Sequence, residues 1–379
     1  MTEPSTESER PVVSTRDPED LRTRLQDWVA GRLGPEADPV VSSLQTPERN
    51  GMSSETVLFD LEVTADARRG TIPYVARLAP EASAVPVFPT YDFDKQFRVM
   101  QLVARLTDVP VPSAPWFEPD PAAVGSPFFV MERVEGEVPP DVMPYNFGDS
   151  WLYDAAPEDQ RRLQDASVAT LAALHAIEVD AVDVSFLELD RGEPTPLRRH
   201  VADQWDYYKW VSADRPQSVI ERGFAWLHEH WPDDEGPTVL SWGDSRIGNV
   251  LYRDFTPVAV LDWEMAGLAP REMDLAWMVF LHRFFEDLAE QLGLPGMPQF
   301  LRLADVAATY EAASGHTPRN LEFFMMYAAL RHGIVMSRVQ QRSVHFGEAE
   351  MPDDPNDLIM HRATLEAMLD GTYWAKLDL

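Results

Sequence analysis

The hydrophobic period of this chain changes along its length, and the order of the changes dictates its layout. From Thr56 to Val63, apolar Val57, Phe59, Leu61 and Val63 alternate with Asp60 and Glu62. That period of two marks a half-buried strand. Tyr74 to Leu78 gives a second strand after a turn at Ala67-Arg68-Arg69-Gly70, so the pair predicts a hairpin. Phe93, Phe97, Met100, Val103 and Ala104 then recur at helical spacing between Asp92 and Leu106, and Phe128 to Val134 returns to strand. An earlier helix is signalled by Asp17-Pro18-Glu19-Asp20, a capping Asp with Pro and acids in the first turn. Its apolar stripe is Leu21, Leu25, Trp28, Val29 and Leu33, and Gly34-Pro35 ends it.

After Glu135-Gly136-Glu137-Val138-Pro139-Pro140, the best boundary, helical patterns dominate. One covers Asp159 to Ile177, and others run from Arg271 to the end. They enclose a β-rich island at Val239–Trp242, Asn249–Tyr252 and Val258–Leu261. The layout is therefore α+β, with a solvated tail over 1–16, a sheet-containing part over 17–134 and a mainly helical part over 135–379.

Composition narrows the functional classes. The 63 acidic residues against 32 Lys and Arg give a net charge of −31, which opposes nucleic acid and anionic membranes as partners. With no Cys there is no disulfide, thiolate nucleophile or Cys-held metal. No apolar run approaches the ~20 residues that span a bilayer, and the acidic start Met1-Thr2-Glu3-Pro4-Ser5 lacks the apolar segment of a signal peptide. A cytoplasmic protein is expected; oligomeric state is not legible. None of the three lysines, Lys95, Lys209 and Lys376, sits in a P-loop, and no dinucleotide fingerprint or nucleophile elbow occurs.

Polar residues gather on the island. Asp244, Asn249 and Asp262 each stand at a strand–loop junction, and the four residues between Asp244 and Asn249 allow both side chains to face one cavity. Two carboxylates and an amide are the hard oxygen donors that Mg²⁺ takes alongside substrate phosphates. A carboxylate at the loop start can accept a hydroxyl proton. Singly, each would read as a turn residue; the combination is what argues for chemistry.

Trp242-Gly243-Asp244 through Asn249-Val250-Leu251, followed by Val260-Leu261-Asp262-Trp263-Glu264 and Pro270 to Trp277, resembles the aminoglycoside phosphotransferase family. The likeness is nearest to the branch linked to acyl-CoA dehydrogenases and its free-standing actinobacterial relatives, and it covers about 40–345. It implies a protein-kinase-like bilobal fold, with an antiparallel N-lobe sheet plus a helix and a mainly helical C-lobe. It also implies an ATP- and Mg²⁺-dependent transfer of the γ-phosphoryl group to a hydroxyl of a small molecule, aminoglycoside-like or hydroxyacyl-type. On that resemblance Asp244 is the catalytic residue, and Asn249 and Asp262 hold the metal. Arg77 pairs with nucleotide phosphates, the loop with Ser53 and Ser54 covers them, and a hinge with Glu132 and Val134 reads the adenine edge. Trp242 stands where the family has His. Gln96 stands where a helix Glu would pair with the strand cation, unless Asp92 or Asp94 takes that place. These two departures keep a nucleotide-binding, catalytically degenerate protein as the alternative.

Other features read as packing. His228 and His230 point apart on a helix and make a poor metal pair. His175 reads as a hydrogen-bonded core residue. Trp205, Tyr207, Tyr208 and Trp210 crowd one helix, either as core or as the lining of an acceptor pocket.

Overall fold

The computed structural model describes residues 16–34, 36–46, 54–63, 70–80, 85–141, 144–377 and 379. In chain order the elements are α1 (Pro18–Leu33), β1 (Pro39–Val41), β2 (Glu55–Val63), β3 (Gly70–Leu78), α2 (Phe93–Leu106), β4 (Trp116–Glu118) and β5 (Phe128–Glu132). Then come α3 (Pro157–His175), α4 (Pro196–Ser212), α5 (Ser218–Glu229), β6 (Thr238–Ser241), β7 (Val250–Arg253), β8 (Thr256–Val260) and β9 (Gly267–Pro270). The chain continues through α6 (Glu272–Leu292), α7 (Leu303–Ser314), α8 (Leu321–His345) and α9 (Arg362–Leu369). Two compact units result: residues 1–94, 114–133 and 342–350 form one, and 95–113, 134–341 and 351–379 the other.

The first unit is built on an antiparallel sheet of order β1-β2-β3-β5-β4. Its central hairpin pairs Glu55 with Leu78 and Val63 with Gly70, as the alternation predicts, and Val57, Phe59, Leu61 and Val63 are buried. The predicted turn at Ala67 to Arg69 lies outside the described residues. Asp17 caps α1 by accepting from the Glu19 and Asp20 amides, both at 2.9 Å. Leu21, Leu25 and Val29 of that helix share one core with the sheet residues Phe59, Ala76, Phe128 and Val130. Trp28 closes its edge, its ring 4.8 Å from Phe128 and its indole N–H donating to Glu118 at 2.7 Å. From Lys95 onward α2 belongs to the second unit.

The second unit is helical except for two antiparallel ladders, β6 with β9 and β7 with β8. The sequence island supplies three of these four strands; β9, Gly267-Leu268-Ala269-Pro270, is too short to show a period and is defined by its pairing with β6. α3 begins two residues before its predicted start because Pro157 occupies the first turn, followed by Glu158 and Asp159. α6 follows β9 directly and is buried from Glu272 through His282, which presses the start of that helix beneath the loops after β6 and β8. Among the described residues no helix is long and apolar enough to cross a membrane.

Candidate active site

The loop leaving β6 is shaped by one buried carboxylate. Asp274, in the first turn of α6, is fully buried. Its Oδ1 accepts from the Ser241 hydroxyl at 3.0 Å and the Gly243 amide at 2.8 Å. Its Oδ2 accepts from the Trp242 amide at 2.8 Å and from His175 Nε2 at 2.9 Å. Burial pushes the Asp274 carboxyl upward, but the His175 and backbone donors outweigh it and hold the group below its ordinary value. His175 is fixed in turn by the Tyr310 hydroxyl, 2.8 Å from Nδ1. The Ser245 hydroxyl adds a bond to the Asp274 carbonyl at 2.7 Å. A loop with this many buried partners keeps a single conformation.

Gly243 is obligatory in that loop. Its φ of 85° lies in the left-handed region, and a Cβ there would stand 2.0 Å from the Met265 carbonyl oxygen. The close approach brings the loop carrying Asp244 against the one following Asp262.

Asp244 comes next and has both carboxylate oxygens engaged. Oδ1 accepts from the Trp277 indole N–H at 2.7 Å, while Oδ2 accepts from Asn249 Nδ2 at 2.7 Å and from Arg246 Nε at 3.3 Å. Arg246 also pairs with Asp141, and Gly248 is the residue that admits this pair, since a Cβ there would lie 2.7 Å from an Asp141 oxygen. Burial disfavours the Arg246 charge, but Asp244, Asp141 and Asp262 together raise its pKa above the ordinary value. The guanidinium is thus one cation among three carboxylates.

Asn249 and Asp262 are tied to the same frame. The Leu261 amide donates to the Asn249 carbonyl at 2.9 Å, and the Trp242 indole N–H donates to the carbonyls of Leu261 at 2.9 Å and Asp262 at 3.2 Å. Trp242 therefore fastens the Asp244 loop to the Asp262 loop, and its ring lies 5.9 Å from Trp263. Asp262 itself takes a φ of 60°, left-handed backbone that Asp tolerates better than most residues. With Nδ2 turned to Asp244, the Asn249 amide oxygen faces away from that carboxylate. An amide oxygen and the Asp262 carboxylate are the hard donors that Mg²⁺ accepts, so the donor set fits this ion. Among the described residues no three His, Asp or Glu converge as a complete cage, and phosphate oxygens would have to supply the remaining ligands.

Arg77 sits in β3 of the first unit, opposite Thr56 on one side and Phe129 on the other. Ser54 is buried before β2, and its hydroxyl has no hydrogen-bond partner among the described residues. Ser53 lies outside the described residues. Glu132 ends β5 opposite Tyr74 and is exposed; Val134 is half-buried at the start of the second unit. Gln96 belongs to the second unit and is buried, its Nε2 without an acceptor among the described residues. In α4, Tyr207 and Tyr208 are buried and Trp205 packs on Phe224 at 4.9 Å, whereas Trp210 is partly exposed beneath Arg338 at 4.4 Å. His228 and His230 stack on Trp231 and Trp226 respectively, at 6.3 and 4.1 Å.

The fold and this loop pair define a protein-kinase-like molecule. The profile of the phosphotransferase enzyme family matches residues 48–319, and the chain belongs to that family. By that membership it is of the phosphotransferase class. A Ralstonia eutropha protein assigned as an aminoglycoside phosphotransferase has a similar structure, with a TM-score of 0.63 at 20% identity over 93% of this chain and 98% of the other. Plasmodium vivax ethanolamine kinase aligns with a TM-score of 0.60 at 14% identity, covering 96% and 93% of the two chains. By sequence the chain is similar to human acyl-CoA dehydrogenase family member 11, 23% identical over 297 residues, which is 76% of this chain but 35% of that protein. The chain thus spans about a third of the length of this relative.

Proposed function

We propose that this protein transfers the γ-phosphoryl group of ATP, as its Mg²⁺ complex, to a hydroxyl group of a small molecule. The observation that carries the reading is the Asp244 carboxylate, held by Trp277 and Asn249 on a loop whose preceding amides are both bonded to Asp274. Phosphoryl transfer needs little covalent help from a protein; it needs positioning, a proton acceptor for the alcohol and charge neutralisation.

Asp244 is the proton acceptor in this reading. Indole and amide donors occupy part of each oxygen, leaving lone pairs to orient the acceptor hydroxyl and take its proton. Asn249 and Asp262 are the residues that would hold Mg²⁺, which when bound neutralises charge on the phosphate oxygens. Arg246 offsets the Asp141, Asp244 and Asp262 charges, so a polyphosphate is not faced by bare carboxylates. Arg77 is proposed to pair with the nucleotide phosphates, Ser53 and Ser54 to lie over them, and the backbone at Glu132 and Val134 to read the base.

Trp242 supports activity rather than degeneracy. Where the family has His, this indole joins both functional loops through two carbonyls, so the substitution leaves a bonded frame. The buried amide of Gln96 favours the second reading, a nucleotide-binding protein without turnover. For the acceptor, the similarity to part of an acyl-CoA dehydrogenase family protein favours a hydroxyacyl-type alcohol over an aminoglycoside.

A panel of both alcohol classes with Mg-ATP, scored by ADP release and by phosphate on the acceptor, tests the proposal. Turnover by the native protein that falls ~10²–10⁴-fold in Asp244→Asn is expected for a lost general base. Mg-ATP binding with no turnover across the panel would select the second reading.

A further inference from the structure

Arg331 is the least accounted-for charge in the second unit. It lies in α8, is 1% exposed and, among the described residues, makes one hydrogen bond, from Nη2 to the Gly243 carbonyl at 3.1 Å. Its Nε and Nη1 have no acceptor among the described residues. Leaving buried donors of a charged group unmet is costly, and replacing such a group with an apolar residue of similar volume is often neutral or stabilising. Stability alone therefore gives no reason for arginine at this position. Its surroundings do. The guanidinium lies 4.4 Å over the Trp277 ring, and the Trp277 indole N–H donates to Asp244 Oδ1 at 2.7 Å. The carbonyl it holds belongs to Gly243, the residue preceding Asp244.

We propose that Arg331 is a positioning residue for phosphoryl transfer, fixing the Asp244 carboxylate through two routes: the face of Trp277 and the carbonyl of Gly243. The inference rests on the reading of Asp244 as the proton acceptor. A cation over an indole face fixes the ring plane, and the ring plane sets where its N–H points. The Gly243 carbonyl bond resists rotation of the peptide that leads into Asp244. Neither route touches substrate.

The test uses Arg331→Met, Arg331→Lys, Trp277→Phe and the double variant Arg331→Met with Trp277→Phe, all in the full chain. Turnover is measured on an accepted alcohol or as slow ATP hydrolysis, with thermal unfolding alongside. The Trp277 indole N–H resonance, assigned by its loss in Trp277→Phe, is followed in nucleotide-free protein. Arg331→Met is expected to lower kcat ~10²-fold, the scale of a misplaced catalytic group, with KM for ATP within about twofold. Its Tm should stay close to that of the native protein, the relief of two unmet buried donors offsetting the loss of the Gly243 bond. Arg331→Lys should recover part of kcat, the double variant should be little worse than Arg331→Met alone, and the indole resonance should move in Arg331→Met. Unchanged kcat, losses that multiply in the double variant, or a lowered Tm in both Arg331 variants with equal kcat loss would overturn the inference. The resonance separates failures: if the protein transfers no phosphate, the proposed function fails, while the Arg331–Trp277 link is still read directly. A resonance that moves in Asp244→Asn but not in Arg331→Met would overturn the link and leave Asp244 in place.

Discussion

Replacing Asp274 by Asn should unfasten the loop that carries Asp244. The carboxylate accepts from four donors, and two of them, the Trp242 and Gly243 amides, sit on opposite oxygens. An amide side chain has one oxygen and one NH₂. Ser241 can turn its hydroxyl to accept, and His175 can change tautomer, but neither backbone N–H can adapt. Whichever way the substituted side chain is oriented, one buried backbone N–H faces an NH₂ group and loses its partner, at about 1–3 kcal/mol. The remaining bonds lose their ionic acceptor, which roughly halves each of them. The sum is about 3–5 kcal/mol, the range for removing one partner of a buried charged pair. Since Asp274 is completely buried, screening by solvent removes little of this. With a urea m-value of about 3 kcal/mol/M, the midpoint should fall by roughly 1–1.7 M at pH 7. Tryptophan fluorescence is the suitable signal, because Trp242, Trp263 and Trp277 all surround the loop. The pH dependence adds a second check. The folded-state pKa of Asp274 is depressed, so its stabilisation is full above the unfolded value of about 3.9 and is lost as pH falls through the folded value. Asp274→Asn should lack that portion of the acid limb. A midpoint within about 0.2 M of the native protein at an unchanged m would refute the argument.

Three further outcomes follow from the same geometry. Gly243→Ala, whose Cβ would stand 2.0 Å from the Met265 carbonyl, should displace the Asp244 loop and abolish most turnover, with a lower Tm by calorimetry. Trp242→Phe leaves a gap where the larger ring packs and takes the indole donor from the carbonyls of Leu261 and Asp262, so it should cost at least about 1–3 kcal/mol in urea unfolding and weaken Mg-nucleotide affinity. Gly248→Ala should break the Asp141–Arg246 pair, raising KM for ATP more than it lowers kcat; equal KM values would show that the pair is unrelated to nucleotide charge.

Much of this architecture is legible in the sequence because the signals are local. The alternation from Val57 to Val63, the Asp17 cap and the stripe from Leu21 to Val29 depend only on near neighbours, and each has its counterpart in the first unit. The three island strands and the junctions at Asp244, Asn249 and Asp262 are equally readable. What the sequence hides is what supports them. Asp274 and Trp277 lie in the Pro270–Trp277 segment that carries the resemblance, yet nothing local says that one organises the Asp244 loop and the other binds its carboxylate 33 residues away. Arg331, 88 residues beyond Gly243 and inside an apolar helix, gives no local sign of its place. Trp242 reads as a departure until its indole is seen bridging two loops. Contacts across such separations follow from the packing of α6 and α8 and leave no period to detect.

Calorimetric titration of Mg-ATP into the native protein, Asp244→Asn and Asp262→Asn tests the division of labour between the two loops most directly. If Asp262 holds the metal and Asp244 the acceptor proton, the native protein and Asp244→Asn bind Mg-ATP with similar affinity. Asp262→Asn should then lose at least ~10-fold, the loss expected for removing a hard anionic ligand. Binding by all three with the same affinity, or by none at millimolar nucleotide, would contradict the account.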